Sequence, residues 1–542
     1  MNENARRHRI DGQGRSINEV AMSPRQDSIS AAKPCAIKIA LLCGTQLMHG
    51  IATARVDEAP MLAPLAALAP VQRPAMEPPP ASAQPSERRV GSHDRSAKMS
   101  SPLAQEATTP NGVVSTESAL TQKPPSPRSS QANSKGFVAD SHPDLEWRNY
   151  TDYFHANGSG RRHAWVEGLQ AKFESGFTEG PIGFGVDAAL FGAFKFDGGR
   201  GARNMVYLGR HGDGANRLAW AYPGMYAVKA RISDSLLKYG LQDVSNPFLD
   251  PHDNRALPPT FLGASLLSRE IGGLAVQGGS FTKVVARGQS NLTDLRTTYG
   301  GVTVKRVTYA GATWDYAPNG SASLYADQAD DVWRQYYASL QHGIGAPDTL
   351  KVTGFANLYA TRDTGAALQG ALNDTAYSVS VSAQHGPHAL LLGYQKILGD
   401  QFFDYIDETA GVYLVNSMDV DYNAPHEQSL QLRYTFDGKY AGLPGFLAMI
   451  WAQQGWGADA SAMAGRAGAN GPAYTALYFK NGQPVHGRHH EFGFIPTYVV
   501  QSGRLKNAKV TLIAQWHVGS AYYSDSTNQV YRLLVTLPVR VF

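Results

Sequence analysis

Three groups of residues in this 542-residue sequence have types and spacings that could do chemistry. The first is the glycine-rich stretch SGFTEGPIGFGVDAALFGAFKFDG (175–198), where Gly180, Gly183 and Gly185 invite comparison with a phosphate-binding turn. A dinucleotide cradle needs a strand, then G-x-G-x-x-G, then a helix. Here the glycines run G-x-x-G-x-G, and no helical pattern follows. The second group is hydrolytic: Asp331 ahead of WRQYY, Ser417, and a stock of 16 histidines. A serine becomes a nucleophile only with a base in hydrogen-bond reach. The third is the pair His489 and His490. On a strand adjacent side chains point to opposite faces, so the two make a poor metal pair. No metal and no cofactor is expected.

The elements that must carry these residues are strands. Every second residue of the glycine-rich stretch gives Ile182, Phe184, Val186, Ala188, Leu190, Gly192, Phe194 and Phe196. The alternate set holds Gly183, Gly185, Asp187, Ala189, Phe191, Ala193 and Lys195. One face is apolar and the other is mostly small or charged, which is strand periodicity. Similar alternation recurs: Leu430, Leu432, Tyr434 and Phe436 against Ser429, Gln431, Arg433 and Thr435. Tyr377, Val379 and Val381 alternate with Ser378, Ser380 and Ser382, and Val228 and Ala230 with Lys229 and Arg231. The C-terminus alternates Tyr531, Leu533, Val535, Leu537, Val539 and Val541 with Arg532, Thr536 and Arg540. No convincing amphipathic helix interrupts the region 136–542.

So long a run of strands exceeds one soluble sandwich. In a soluble sandwich the apolar faces meet inside; in an outer-membrane barrel they face lipid and the polar faces line a wet lumen. The number and length of the strands, the repeated Arg and Lys on the polar faces and the terminal Phe542 favour the barrel. Strict alternation puts Phe542 in register with Arg540, so a bulge near Pro538 would be needed to turn it outward. Composition agrees: 43% hydrophobic, 17% charged, with a formal net charge of +4 and a mean hydropathy of −0.30. No apolar run of about 18 residues marks a transmembrane helix, and the small charge implies no nucleic-acid partner.

The N-terminal third reads differently. Arg25 and Lys33 lead into AIKIALLCGTQLMHGIATA, with Ala52 and Ala54 at an A-x-A cleavage site. Residues 1–54 are read as a secretory signal region, with Met22 as the candidate true start. Cys35 and Cys43 both fall in it, so a processed chain would carry no cysteine. A lipoprotein signal at Cys43 is disfavoured by the bulky Leu42 before it. Residues 55–135, including PLAALAPVQRPAMEPPPASAQPSERR, are rich in Pro, Ala and Ser and read as a disordered arm.

From 136 to 542 the sequence resembles the OprD family of outer-membrane porins. The similar stretches come in the family's order: SGFTEGPIGFGVDA, AVKARISDSLLKYG, NRALPPTFLGASLLSREI, DVWRQYYASL, YQKILGDQFFDYI, LVNS, GLPGF, HHEFGFIPTYVVQSGRLKN and YRLLVTLPV. The resemblance implies an all-β fold: a monomeric transmembrane antiparallel barrel of about 18 strands. It also implies short periplasmic turns and long extracellular loops, some folded inward. It implies passive, selective diffusion of small carboxylate-bearing organic solutes, amino acids or aromatic acids. Contact with outer-membrane lipid, and with the barrel assembly machinery through Phe542, belongs to the same expectation.

Such pores are similar in carrying a ladder of basic residues on one wall with acidic and hydroxyl groups opposite. The ladder positions implied here are Arg162, Arg433 and Arg532, and alternation alone adds Lys229 and Arg231. The constriction positions implied are Tyr299, Tyr405, Ser417 and Asp421. A plain solvated wall is the competing reading for each basic residue, and an interfacial aromatic girdle for the tyrosines. The chain departs from the family at Thr511, Ile513 and Trp451, where arginines are expected, so the ladder is depleted. A triad suggested for the family finds Ser280 where its histidine would fall, which counts against the hydrolase reading. A secreted or surface-anchored soluble β-rich binding protein is the third reading, and it leaves the inverted polarity unexplained.

Overall fold

The structure, a computed structural model, describes residues 130–157, 160–196, 219–409, 413–465 and 477–540; the side chains of 160–162 and 540 lie outside the description. Among these residues eighteen strands, from His142–Ala156 to Asn528–Arg540, each pair antiparallel with the next. The last pairs with the first, from Asp144↔Arg540 to Ala156↔Asn528, and the sheet closes. Closure satisfies every ladder hydrogen bond without an edge, which is what a bilayer demands of strands. The described residues contain no helix long and apolar enough to cross a membrane.

At one end the connections are tight, as at 233–234, 272–273, 318–319 and 386–387; at the other they are long, as at 243–259, 286–306, 399–427 and 460–485. Outer-membrane barrels place short turns in the periplasm and long loops outside.

The faces are inverted relative to a soluble protein. On the strand Asn373–His385, Val379 and Val381 are 46% and 55% exposed, while Ser378, Ser380 and Ser382, which alternate with them, are 1%, 7% and 3% exposed. On Ile182–Lys195, Phe184, Val186, Leu190 and Phe194 stand on the outer surface, and Asp187 and Lys195 are buried inside. The apolar half of each strand therefore meets lipid, and the polar half meets the lumen. The register between the first and last strands runs unshifted through Pro538, so the bulge expected there does not occur. Phe542 itself lies outside the described residues.

Three long connections turn into the lumen, where most of their residues are buried. Arg148 on the first strand holds 243–259 by a two-pronged pair with Asp253, 2.5 and 2.9 Å, and a bond to the Arg255 carbonyl. Arg287 joins 286–306 to 399–427 through Glu408 at 2.7 Å. The planar guanidinium fork suits both jobs, since it satisfies a carboxylate bidentately inside a wall.

Candidate functional site

The connection 399–427 is hung on the wall by polar side chains from the inner strand faces. Gln395 accepts the Asn416 N–H at 3.0 Å and donates to the Tyr422 carbonyl at 3.0 Å. Asn416 donates to Ser429 Oγ at 2.7 Å. Glu491 accepts the N–H groups of Asp419 and Val420 at 3.2 and 3.1 Å, and the Trp451 indole N–H at 2.7 Å. Backbone donors that would be orphaned in mid-loop are thus matched to buried acceptors, which is how irregular backbone survives inside a barrel.

On that scaffold the four constriction positions converge on one carboxylate. Tyr299 and Tyr405 donate their hydroxyls to Asp421 Oδ2 at 2.6 and 2.7 Å, and Ser417 donates to Oδ1 at 2.7 Å. Tyr299 comes from 286–306 and the other three from 399–427, so the cluster also ties the two inward loops together. The tyrosine rings meet edge to face with centroids 6.2 Å apart. Burial and then the Asp421 charge push both phenols well above their ordinary value, so they remain donors. Behind them, Asp404 takes the N–H groups of Tyr299, Gly300 and Tyr405 and the Gln369 amide, each at 2.8 Å. The result is a braced ring of hydroxyls around an acid, with the tyrosine rings half-buried.

The basic positions are dispersed by comparison. Lys229 pairs with Asp187 at 2.6 Å, joined there by Lys238 at 2.7 Å, a partner that the sequence reading missed. Arg231 donates to Gln131 at 3.0 Å and lies over the Phe177 ring. Arg532 donates to Asp152 at 3.1 Å beside the Tyr150 ring. Arg433 is buried on the inner face with Met418 near its guanidinium. The Arg162 side chain lies outside the described residues. Lys229, Arg231 and Arg532 are each matched by a local polar partner.

Arg433 lies opposite Trp451 across one strand pair, and Arg532 lies opposite Ile513 across another. Between them the inner faces carry Met449, Trp451, Ile495 and Ile513, which form one buried apolar cluster with Met418 and Leu534. Thr511 is occupied with Thr497, Oγ1 to Oγ1 at 3.1 Å. An apolar rung thus lies between Arg433 and Arg532 on the inner face.

Neither hydrolytic group forms a site. Ser417 Oγ is committed to Asp421, and Asp331 sits in a turn where it accepts the Ala366 N–H. His489 and His490 do point to opposite faces, inward and outward. His489 instead belongs to a buried chain that no local pattern announces: Nε2 meets Glu427 at 2.6 Å and Nδ1 meets His517 at 2.8 Å. Tyr422 and Tyr523 stack on it with centroids 3.9 Å away, and Tyr523 donates to Glu427 at 2.9 Å. Gly455 leaves the room, since a Cβ there would stand 2.4 Å from the His489 ring and 2.5 Å from Glu427. The chain locks the end of 399–427 to the wall.

A family model described as outer membrane porin, OprD family, matches residues 135–541. Porin D of Pseudomonas aeruginosa is 34% identical over 431 residues, covering 76% of this chain and 94% of that one. The porin-like protein GalP of Pseudomonas putida is 32% identical over 423 residues, with the same coverage of 76% and 94%. Among solved structures, Pseudomonas aeruginosa OccD3 (OpdP) superposes with a TM-score of 0.68 at 33% identity, covering 77% of this chain and 95% of that one. Pseudomonas aeruginosa OpdK, solved with vanillate, gives a TM-score of 0.65 at 29% identity, covering 74% and 100%.

Proposed function

The chain belongs to the OprD family of outer-membrane porins, and from that premise we propose that it passes small organic carboxylates selectively by passive diffusion. The observation that carries this reading is the ring at Asp421, where two inward loops present fixed hydroxyls to the lumen. A pore that selects must bind weakly at several places, so that a solute enters and also leaves. Arg433 and Arg532 supply attraction for a carboxylate, while Lys229 and Arg231 serve nearer the short-turn end. Tyr299, Tyr405, Ser417 and Asp421 set the width and the polarity of the narrowest part. Arg162 is proposed as a further cation of the same wall. The apolar rung at Met449, Ile495 and Ile513 favours a solute with one carboxylate and an aromatic or aliphatic body over a multiply charged anion. The vanillate with which OpdK was solved has that chemistry.

The rest of the chain fits a protein exported through the periplasm. We read residues 1–54 as the secretory signal and 55–135 as a spacer, its last residues docked on the wall of a barrel at 136–542 that acts as a monomer. Phe542 is the proposed signal for the assembly machinery. Liposome swelling tests the selectivity. Benzoate-like monocarboxylates should enter faster than neutral sugars and dicarboxylates of similar size, and entry ordered by size alone would contradict it.

A further inference from the structure

The described chain begins at Ser130, ahead of the first barrel strand, and its first residues lie on the inner wall at the short-turn end. Ser130 donates its N–H to Asp234 at 2.7 Å and its hydroxyl to the Ser233 carbonyl at 3.1 Å. Gln131 donates its N–H to the Ser233 carbonyl at 3.1 Å and its amide to the carbonyls of Thr178 and Gly180 at 3.0 and 3.1 Å. Ser134 reaches the Phe177 carbonyl at 2.8 Å. Gln131 is 3% exposed, and both polar atoms of its side chain are matched. Gly183 provides the seat, because a Cβ there would stand 2.3 Å from the Gln131 carbonyl oxygen. These are the contacts of a fixed part of the pore.

The remaining contact bears on function. Gln131 Oε1 accepts from Arg231 Nε at 3.0 Å, and the guanidinium lies 4.0 Å from the centroid of the Phe177 ring. Arg231 faces the lumen opposite Gly183, at the level where solute would leave toward the periplasm. We infer that Ser130–Gly136 is a strap across the inner wall of the periplasmic mouth, and that Gln131 governs selectivity there by holding Arg231 against the wall. With the strap seated, the mouth is narrower and one cation is turned from the solute path. This rests on the pore reading above. The glutamine is a positioning residue, and the arginine is the charge it positions.

Single-channel recording of the full chain in a KCl gradient tests it with four proteins: parent, Gln131→Ala, Gly183→Val and Gln131→Ala/Arg231→Gln. Heat-modifiable mobility on SDS gels establishes that each is a folded barrel. Gln131→Ala and Gly183→Val should each raise the conductance and raise the chloride-to-potassium permeability ratio, roughly twofold for one freed cation in a narrow pore. Adding Arg231→Gln should return the ratio to the parent value while the conductance stays high. Identical conductance and ratio in all four overturns the strap. Folded barrels that carry no current overturn the pore reading, and the strap with it.

Discussion

The Trp451 indole donates to the Glu491 carboxylate at 2.7 Å, across neighbouring strands of the barrel wall. The same carboxylate holds the Asp419 and Val420 N–H groups of the inward loop. The family resemblance leads to an arginine being expected at Trp451; the residue present donates instead to a carboxylate that anchors a loop. Gly493 makes room for it, since a Cβ there would stand 1.9 Å from the indole.

Replacing Glu491 by leucine removes the acceptor and leaves two loop N–H groups buried. The loss should be about 1–3 kcal/mol per unmatched group. The expected outcome is a lower temperature of heat-modification on gels and larger open-channel current noise. Glu491→Gln, which keeps an acceptor, should fall between that variant and the parent.

Asp421→Asn keeps the shape of the ring and removes its charge. The amide oxygen can still accept the two tyrosine hydroxyls, in neutral bonds roughly half as strong, while the NH2 must donate to Ser417 where the carboxylate accepted. The chloride-to-potassium permeability ratio should rise, because a carboxylate no longer repels anions at the narrowest point. An unchanged ratio would place the constriction elsewhere.

Asp525, in the connection 520–527, gives a pH dependence. Burial, and then the Asp421 charge, push its carboxyl up to about 6. Lys480 opposes the rise, and Glu427 adds to it. The shift is upward, so the fold prefers the neutral acid, and the negative charge appears only as pH climbs through about 6. Cation selectivity should therefore increase from pH 5 to pH 7. Asp525→Asn should flatten the profile in reversal-potential measurements.

Phe184 and Gly183 are neighbours with opposite tasks. Phe184 faces lipid at 59% exposure near the periplasmic end of its strand, where an arginine costs up to about 1 kcal/mol. Gly183→Ser meets only the end of the flexible Gln131 side chain. Outer-membrane yield should fall more for Phe184→Arg than for Gly183→Ser.

The barrel was legible because the bilayer imposes a period of two over many strands, and a local pattern can carry that. Phe184, Val379 and Leu432 announce the lipid face simply by alternating with Gly183, Ser378 and Gln431. Tyr299, Tyr405, Ser417 and Asp421 were reached through family motifs, and the structure joins them although Tyr299 is 122 residues from Asp421. Composition could not forecast that three hydroxyls would share one carboxylate. Glu427, His489 and His517 stayed hidden because each is an ordinary residue at an inner position. Their meeting depends on where the loop 399–427 ends, which no local periodicity encodes. Gln131 was missed for a similar reason, since it follows a Pro- and Ser-rich stretch that masks the start of order.

Selective diffusion of carboxylates requires that the lumen cations, Arg433 and Arg532 among them, attract the solute. Its most direct measurement is block of single-channel KCl current by benzoate, in the parent and in Arg532→Gln. The prediction is discrete conducting steps, concentration-dependent block by benzoate but not by a neutral aromatic of equal size, and weaker block in the variant. Equal block by the charged and the neutral compound, unchanged by Arg532→Gln, would contradict it.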